Sequence, residues 1–452
     1  MADQNLFLQR EARVFLQALP GTTDQSDATK IYEIPVLEGF SFSQAGNLSE
    51  ITISEASSDG FTSRRGRMAY TDNLSPAEFS FSTYARPFKS AGTGTGAADL
   101  HSTAAEQMHD CTEVLWAMMC DDHNTTGDID IPASGQISGI KGVFNGTLQS
   151  HPNFNSTDFL QLAKHNLIFQ FGEGITVGGV HSPAQTYLVK DAVMNEVTMN
   201  FDIDGVCTYE WSGFGTIIKE LTAGGTDGPT NANLNNVTPI VNEGIHATNN
   251  LIMNRLSTLT IDEVLDPNNI YDGSSSDEYT VTMTGGSITI SNNIEYVTPA
   301  SLNSVSLPLA HFAGTRSVSG SFTCYLNGAD DSSAELFADI IESSKFDVTN
   351  MFKLQAQIGG AFVGTGSPTE PHIRVTLPAC HLEIPNLNVE EVLSLEVNFH
   401  GLPNNGSVAF DTTTGTPVAT APTEFAITGG NEIQIDWEGP APSTSTSYNA
   451  GT

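Results

Sequence analysis

His109, Cys111, Cys120 and His123 stand as H-x-C, eight residues, then C-x-x-H, which are the side-chain types that bind zinc. The spacing departs from the familiar knuckles, and Cys111 falls on the apolar stripe of an expected helix, so a buried thiol is the better reading. Asp202-Ile-Asp204-Gly and the stretch DPNNIYDGSSSDE, Asp266 to Glu278, carry the oxygen ligands of calcium loops. Neither places its glycine and terminal glutamate at EF-hand offsets. The first reads as a hairpin turn and the second as a solvated loop. There is no G-x-S-x-G elbow and no Walker loop, and the eleven histidines are scattered, none in a local pattern with a Ser or Cys that nucleophilic catalysis would require. The chain therefore reads as a non-enzyme, with no metal and no cofactor. One basic cluster exists, Arg64-Arg65-Gly-Arg67. It suits an arm reaching an acidic neighbouring subunit, with a solvated loop as the alternative.

Short alternating runs bounded by Gly, Ser, Thr and Asn point to a mostly β chain. Two helices stand out: TAAEQMHDCTEVLWAMMC, with Met108, Cys111, Leu115 and Met119 at helical spacing, and SSAELFADIIESS, with Leu336, Phe337 and Ile340. Each follows one spelling of a repeated strand, SFSTY at Ser80 to Tyr84 and SFTCY at Ser321 to Tyr325. Upstream, ITIS at Ile51 is echoed by ITIS at Ile288. Downstream, Asp202 to Gly213 aligns without a gap on Asn388 to Phe399, matching Val206 with Val392 and Glu210 with Glu396. Order kept along the whole chain argues for one domain used twice, not for a solenoid of short repeats. The expected division is 1–220 and 254–425 for the copies, 221–253 for a linker and 426–452 for a polar low-complexity tail.

The hairpin EVTMNFDIDGVCTYEWSG alternates Val197, Met199, Phe201 and Ile203 with Thr198, Asn200 and Asp202, turns at Asp204-Gly205, then alternates Cys207, Tyr209 and Trp211 with Thr208 and Glu210. The second copy sets Leu393, Leu395, Val397 and Phe399 against Ser394, Glu396 and Asn398, while Pro385 suggests an edge or a bulge in its outgoing strand.

Among 452 residues, Asp and Glu outnumber Lys and Arg by 52 to 17, a formal charge of −35 that repels nucleic acid and anionic lipid. Polar and charged residues break every apolar run near the start, so no secretory segment or membrane span is expected, and the chain reads as made in the cytoplasm. Five cysteines, an odd number in a long chain, do not read as a disulfide framework.

The stretches Glu50 to Lys89 and Gly285 to Gly328, with the VLW helix and the TYEWSG strand, resemble the major tail tube proteins of T5-type long-tailed siphophages, over about Leu6 to Pro403. That family's T5 member ends in an immunoglobulin-like domain, for which the polar residues after the second copy offer no counterpart. The resemblance implies two tandem tail-tube domains, each a β-sandwich or partial barrel with a flanking helix. It also implies a virion protein whose trimeric, pseudo-hexameric rings stack into the channel for DNA ejection. Its partners would be itself, the tape-measure, tail terminator and baseplate or distal tail proteins, and double-stranded DNA in transit. Thr198, Asn200, Asp202, Thr208, Glu210, Ser394, Glu396 and Asn398 become candidates for the lumen, and Arg64, Arg65 and Arg67 for contacts between rings. The competing readings are a baseplate hub or distal tail ring, and a non-viral β-sandwich binding module.

Overall fold

The computed structural model describes residues 11–17, 31–52, 66–89, 108–120, 162, 164–172, 176–177, 180–181, 185–221, 234, 251–263, 278–299, 305–346, 352–360, 371–388, 392–402 and 432–438. In the N-terminal half these form β1 (Ala12–Gln17), β2 (Ile31–Ile34), β3 (Ser41–Thr52), β4 (Arg67–Tyr84), β5 (Pro87–Lys89) and β6 (Met108–Asp110). Helix α1 (Glu113–Cys120) follows, then β7 (His165–Phe171), β8 (Thr176–Val177), β9 (Val180–His181), β10 (Gln185–Asp202), β11 (Thr208–Gly215) and β12 (Ile217–Glu220). The C-terminal half contains β13 (Thr258–Glu263), β14 (Glu278–Val281), β15 (Met283–Ser291), β16 (Glu295–Val297), β17 (Ala310–Phe312) and β18 (Ser317–Tyr325). It continues with α2 (Ser333–Phe346), β19 (Phe352–Gly359), β20 (His372–Leu382), β21 (Asn386–Asn388), β22 (Ser394–Gly401) and β23 (Gln434–Glu438).

One pairing order is used twice. In the N-terminal half, β2, β1, β7, the first part of β10 and β12 are successive antiparallel neighbours, and β3, β4, β11 and the last part of β10 form a second run. In the C-terminal half the two runs are β14, β13, β19, β20, β23 and β15, β18, β22, with β20 and β21 both on β22. Between the runs lie the buried faces, including Phe81, Met199 and Trp211 in one half and Phe322, Leu354 and Val397 in the other. Alternation alone produces this, because successive strand side chains point to opposite faces.

The registers identify equivalent residues. Ser80 sits between Ser41 and Ser212, and Ser321 sits between Ser287 and Asn398. The alignment that matches Glu210 with Glu396 follows, since each lies one strand from the SF-x-x-Y position, opposite Ser82 and Thr323. The ITIS echo is corrected: the counterpart of Ser287-Ile288-Thr289-Ile290 is Ser41-Phe42-Ser43-Gln44, and Ile51 lies farther along β3 opposite Met68. In the other run, the amide pair Gln17–Asn166 (3.0 Å) occupies the place taken by the ion pair Asp262–Lys353 (3.7 Å). Burial pulls the Lys353 ammonium below its ordinary range, and Asp262 opposes that shift.

Three sequence expectations change. The first helix starts at Glu113, with Met108–Asp110 a strand. The buried Asp110 carboxylate accepts the Thr112 N–H (3.0 Å) and the Arg86 N–H (3.0 Å), tying strand and helix together. Ile203 is 43% exposed because it stands in the turn closed by Gly205 N–H to Asp202 O, not on the buried face. Residues assigned to a polar tail form β23, whose Ile435 and Trp437 are fully buried. The alternation of Ile433, Ile435 and Trp437 was the signal for it. Most of the expected linker lies outside the described residues, as do His123, Arg64, Arg65 and 264–277.

Candidate functional site: a polar face shared by both halves

The last part of β10 is bound on one side by β11 of its own half. On the other side it is bound by β15 of the C-terminal half, from Glu196↔Ser291 to Asp202↔Gly285. This ladder makes β3, β4, β11, β10, β15, β18 and β22 successive neighbours in one antiparallel sheet. The Oγ1 atoms of Thr198 and Thr289 meet across it at 2.9 Å.

Other contacts fasten the same junction. Asn292 Nδ2 donates to Met119 O (3.0 Å) near the end of α1 and to Met194 O (3.3 Å). The Asn292 N–H donates to Asn195 O (2.8 Å), and the Ile294 N–H to Asn195 Oδ1 (2.8 Å). The end of a helix leaves carbonyls without intrahelical donors, and here a residue of the other half supplies one. Trp437 of β23 reaches across as well. Its Nε1–H donates to Tyr209 Oη (2.9 Å), and its ring stands edge-on to Trp116 at 5.4 Å between centroids. Trp116 is also edge-on to Tyr209 (5.4 Å) and Trp211 (5.2 Å), so four aromatic rings join α1, β11 and β23. Burial first, then the Asp110 charge, raises the Tyr209 phenol far above its usual range and keeps it a neutral hydroxyl.

The outer face of the shared sheet is polar. Thr208, Asn200, Ser287, Ser321 and Asn398 lie on successive strands in one row, and Ser82, Glu210, Thr198, Thr289, Ser319 and His400 in the next. Thus Thr198, Asn200, Asp202, Thr208, Glu210, Ser394, Glu396 and Asn398 are brought to one face, each at least partly exposed. The stretches 41–45, 77–84, 196–202, 208–215, 285–291, 317–325 and 394–401 contain Glu78, Glu196, Asp202, Glu210 and Glu396 and no Lys or Arg. Beside this face, Asn398 Nδ2 (3.0 Å) and His400 Nε2 (3.2 Å) hold the Glu383 carboxylate and draw its pKa below the usual range, the Asn398 bond contributing most.

Beyond Gly46, β3 and β4 continue as a two-stranded arm. Leu48, Ile51, Met68 and Tyr70 on it are 60, 55, 63 and 51% exposed. Its base is held by the C-terminal half: the Leu74 N–H donates to Ser306 O (3.0 Å) and the Ser306 N–H to Asp72 O (3.2 Å). Arg67 on the arm pairs with Glu50 of the same hairpin at 2.8 Å. Sequence reading missed the arm's exposed apolar residues because a ladder of alternating residues looks the same whether or not a core covers it.

Elsewhere, of the H-x-C and C-x-x-H residues, His109 lies on β6, the buried Cys111 thiol donates to Arg86 O (3.3 Å), and Cys120 ends α1. Burial raises the Cys207 and Cys380 thiols far above their ordinary range, and pushes Cys324 up to about 11. Asp204 pairs with Arg255 in the turn. No described helix is long and apolar enough to cross a membrane.

The described residues thus form a mostly β chain that uses one antiparallel pairing order twice, with a polar face shared by both halves and an exposed apolar arm. No family model matches the chain. It is 26% identical over 404 residues to tail tube protein pb6 of Escherichia phage T5, a match covering 89% of this chain and 74% of that protein. The similarity supports a structural tail tube role and a place in the virion tail.

Proposed function

We propose that the chain is a non-enzymatic major tail tube subunit whose two halves are quasi-equivalent tube domains. Three chains close a ring of six domains, and rings stack into a hollow tube through which the phage genome passes to the host. The observation that carries this reading is the β10–β15 ladder. One tube domain already continues the sheet of another, and a curved sheet extended in this way around an axis closes a ring. Fusing two domains in one chain makes half of these junctions intramolecular and raises their effective concentration.

The polar sheet face lines the channel in this reading. Five carboxylates with no Lys or Arg in its paired stretches give phosphates nothing to neutralise, so counterion release adds no affinity and DNA slides without adhering. The arms, with Leu48, Ile51, Met68 and Tyr70 exposed, cover apolar surface by packing on the next ring. Arg67, with Arg64 and Arg65 beside it in sequence, steers that contact toward an acidic neighbour. Tape-measure, tail terminator and distal tail proteins meet the tube along its bore and at its ends.

Electron microscopy of the purified chain tests the reading. Long hollow tubes are expected; isolated closed rings indicate a hub or distal tail ring, and monodisperse monomers a binding module.

A further inference from the structure

We infer that the outer edge of β3 pairs antiparallel with the β20–β21 edge of a second copy of the chain, in the register that β15 takes on β10. The inference rests on the proposed ring and assigns its intermolecular seam.

Among the described residues, β3 has a ladder partner only in β4, and β21 only in β22. An edge strand presents unmatched N–H and C=O groups and is a template for another strand. The two edges are the equivalents of two strands that do pair. β3 holds the place of β15, since Ser41 and Ser287 lie opposite Ser80 and Ser321. β21 holds the place of the last part of β10, since Asn386 and Asn388 lie opposite Glu396 and Ser394 as Thr198 and Asn200 lie opposite Glu210 and Thr208.

Carrying the Thr198↔Thr289, Met199↔Ile288 and Asn200↔Ser287 pairs onto these edges sets Asn386 opposite Ser43, Leu387 opposite Phe42 and Asn388 opposite Ser41. Polar side chains then meet polar ones on the sheet's outer face. Leu387, 42% exposed in the single chain, meets the half-buried Phe42 on the inner face. A slip of one residue would exchange the faces. Gly39, at a φ of 95° that other residues rarely adopt, ends the extended run next to β3 and limits longer slips. Pro385 contributes no N–H, so this seam lacks one donor that Val197 can offer at the internal junction. The seam between chains is thereby the weaker of the two and the one left open until assembly.

Paired cysteines test the register. Thr198 and Thr289 meet closely enough for their hydroxyls to touch at 2.9 Å, so cysteines at the equivalent Ser43 and Asn386 should bond between chains. Ser43→Cys/Asn386→Cys protein is assembled, oxidised and run on a non-reducing gel beside each single variant and the slipped pair Ser41→Cys/Asn386→Cys. Covalent dimers and trimers specific to the Ser43/Asn386 pair support the seam. Wild-type tubes or rings with no such bond, or with bonding only in the slipped pair, overturn the seam and leave the proposed function standing. Absence of any ring or tube from the wild-type chain overturns the proposed function, and the seam with it.

Discussion

Phe79 lies directly across β4 and β11 from Gly213, and the C-terminal half holds the same pair exchanged, with Gly320 on β18 facing Phe399 on β22. A Cβ on Gly213 would stand 2.4 Å from Phe79 Cζ, and one on Gly320 2.4 Å from Phe399 Cζ. Each ring covers the glycine backbone opposite and fills the missing side-chain volume. The pair Phe201–Gly286 repeats the device at the junction of the halves, with ring atoms 2.9 Å from a Cβ built on the glycine.

Gly213→Ala is therefore expected to lower stability by about 1–3 kcal/mol through overpacking. The exchange Phe79→Gly/Gly213→Phe, which recreates the arrangement of the other half, should cost less than the sum of its single changes. Thermal unfolding of the four proteins of this cycle checks it, and additive effects would refute the exchange.

His165 on β7 is fully buried, neither ring nitrogen has a partner among the described residues, and burial lowers its pKa from 6.5 to about 3. The folded form stays neutral while the unfolded chain takes up a proton, so stability falls as pH drops below about 6.5, by up to about 1.4 kcal/mol per unit, until pH nears 3. Phe352 occupies the equivalent position. His165→Phe should remove this part of the acid sensitivity, seen as a flatter denaturation midpoint between pH 6 and pH 4.

Trp437→Ala should cost about 3–5 kcal/mol, since it empties a site against Trp116 and leaves Tyr209 Oη without its donor. The expected readout is a lower unfolding temperature with red-shifted tryptophan emission. Emission and stability like those of the wild type would show that β23 does not bind the two halves together.

Charge reversal at Glu210 and Glu396 tests the channel assignment. With Lys at both positions, tails of normal appearance should deliver DNA into cells more slowly, and more so at low salt. Unchanged delivery from such tails would place this face outside the bore.

On the arm, replacing Leu48, Ile51, Met68 and Tyr70 together by Ser should leave a soluble chain of unchanged fold, because these side chains are more than half exposed. Sedimentation should show single rings or monomers in place of tubes. Normal tubes would remove the arm from the stacking contact.

The sequence by itself determined what depends on neighbours along the chain. The alternation of Val197, Met199 and Phe201, the turn ending at Gly205, the apolar stripe of Leu336 and Ile340 and the gapless match of Glu210 to Glu396 all follow from periods of two and 3.6 residues. Strand partners are not local, and only the tertiary structure decided them. It placed Ser41, not an ITIS residue, opposite Ser80 of the SF-x-x-Y segment, set β15 against β10, and drove Trp437 into the opposite half. The reason is physical. A backbone edge accepts any extended strand, and the choice among them is made by side chains such as Phe201 and Gly286, whose fit exists only once both halves have folded.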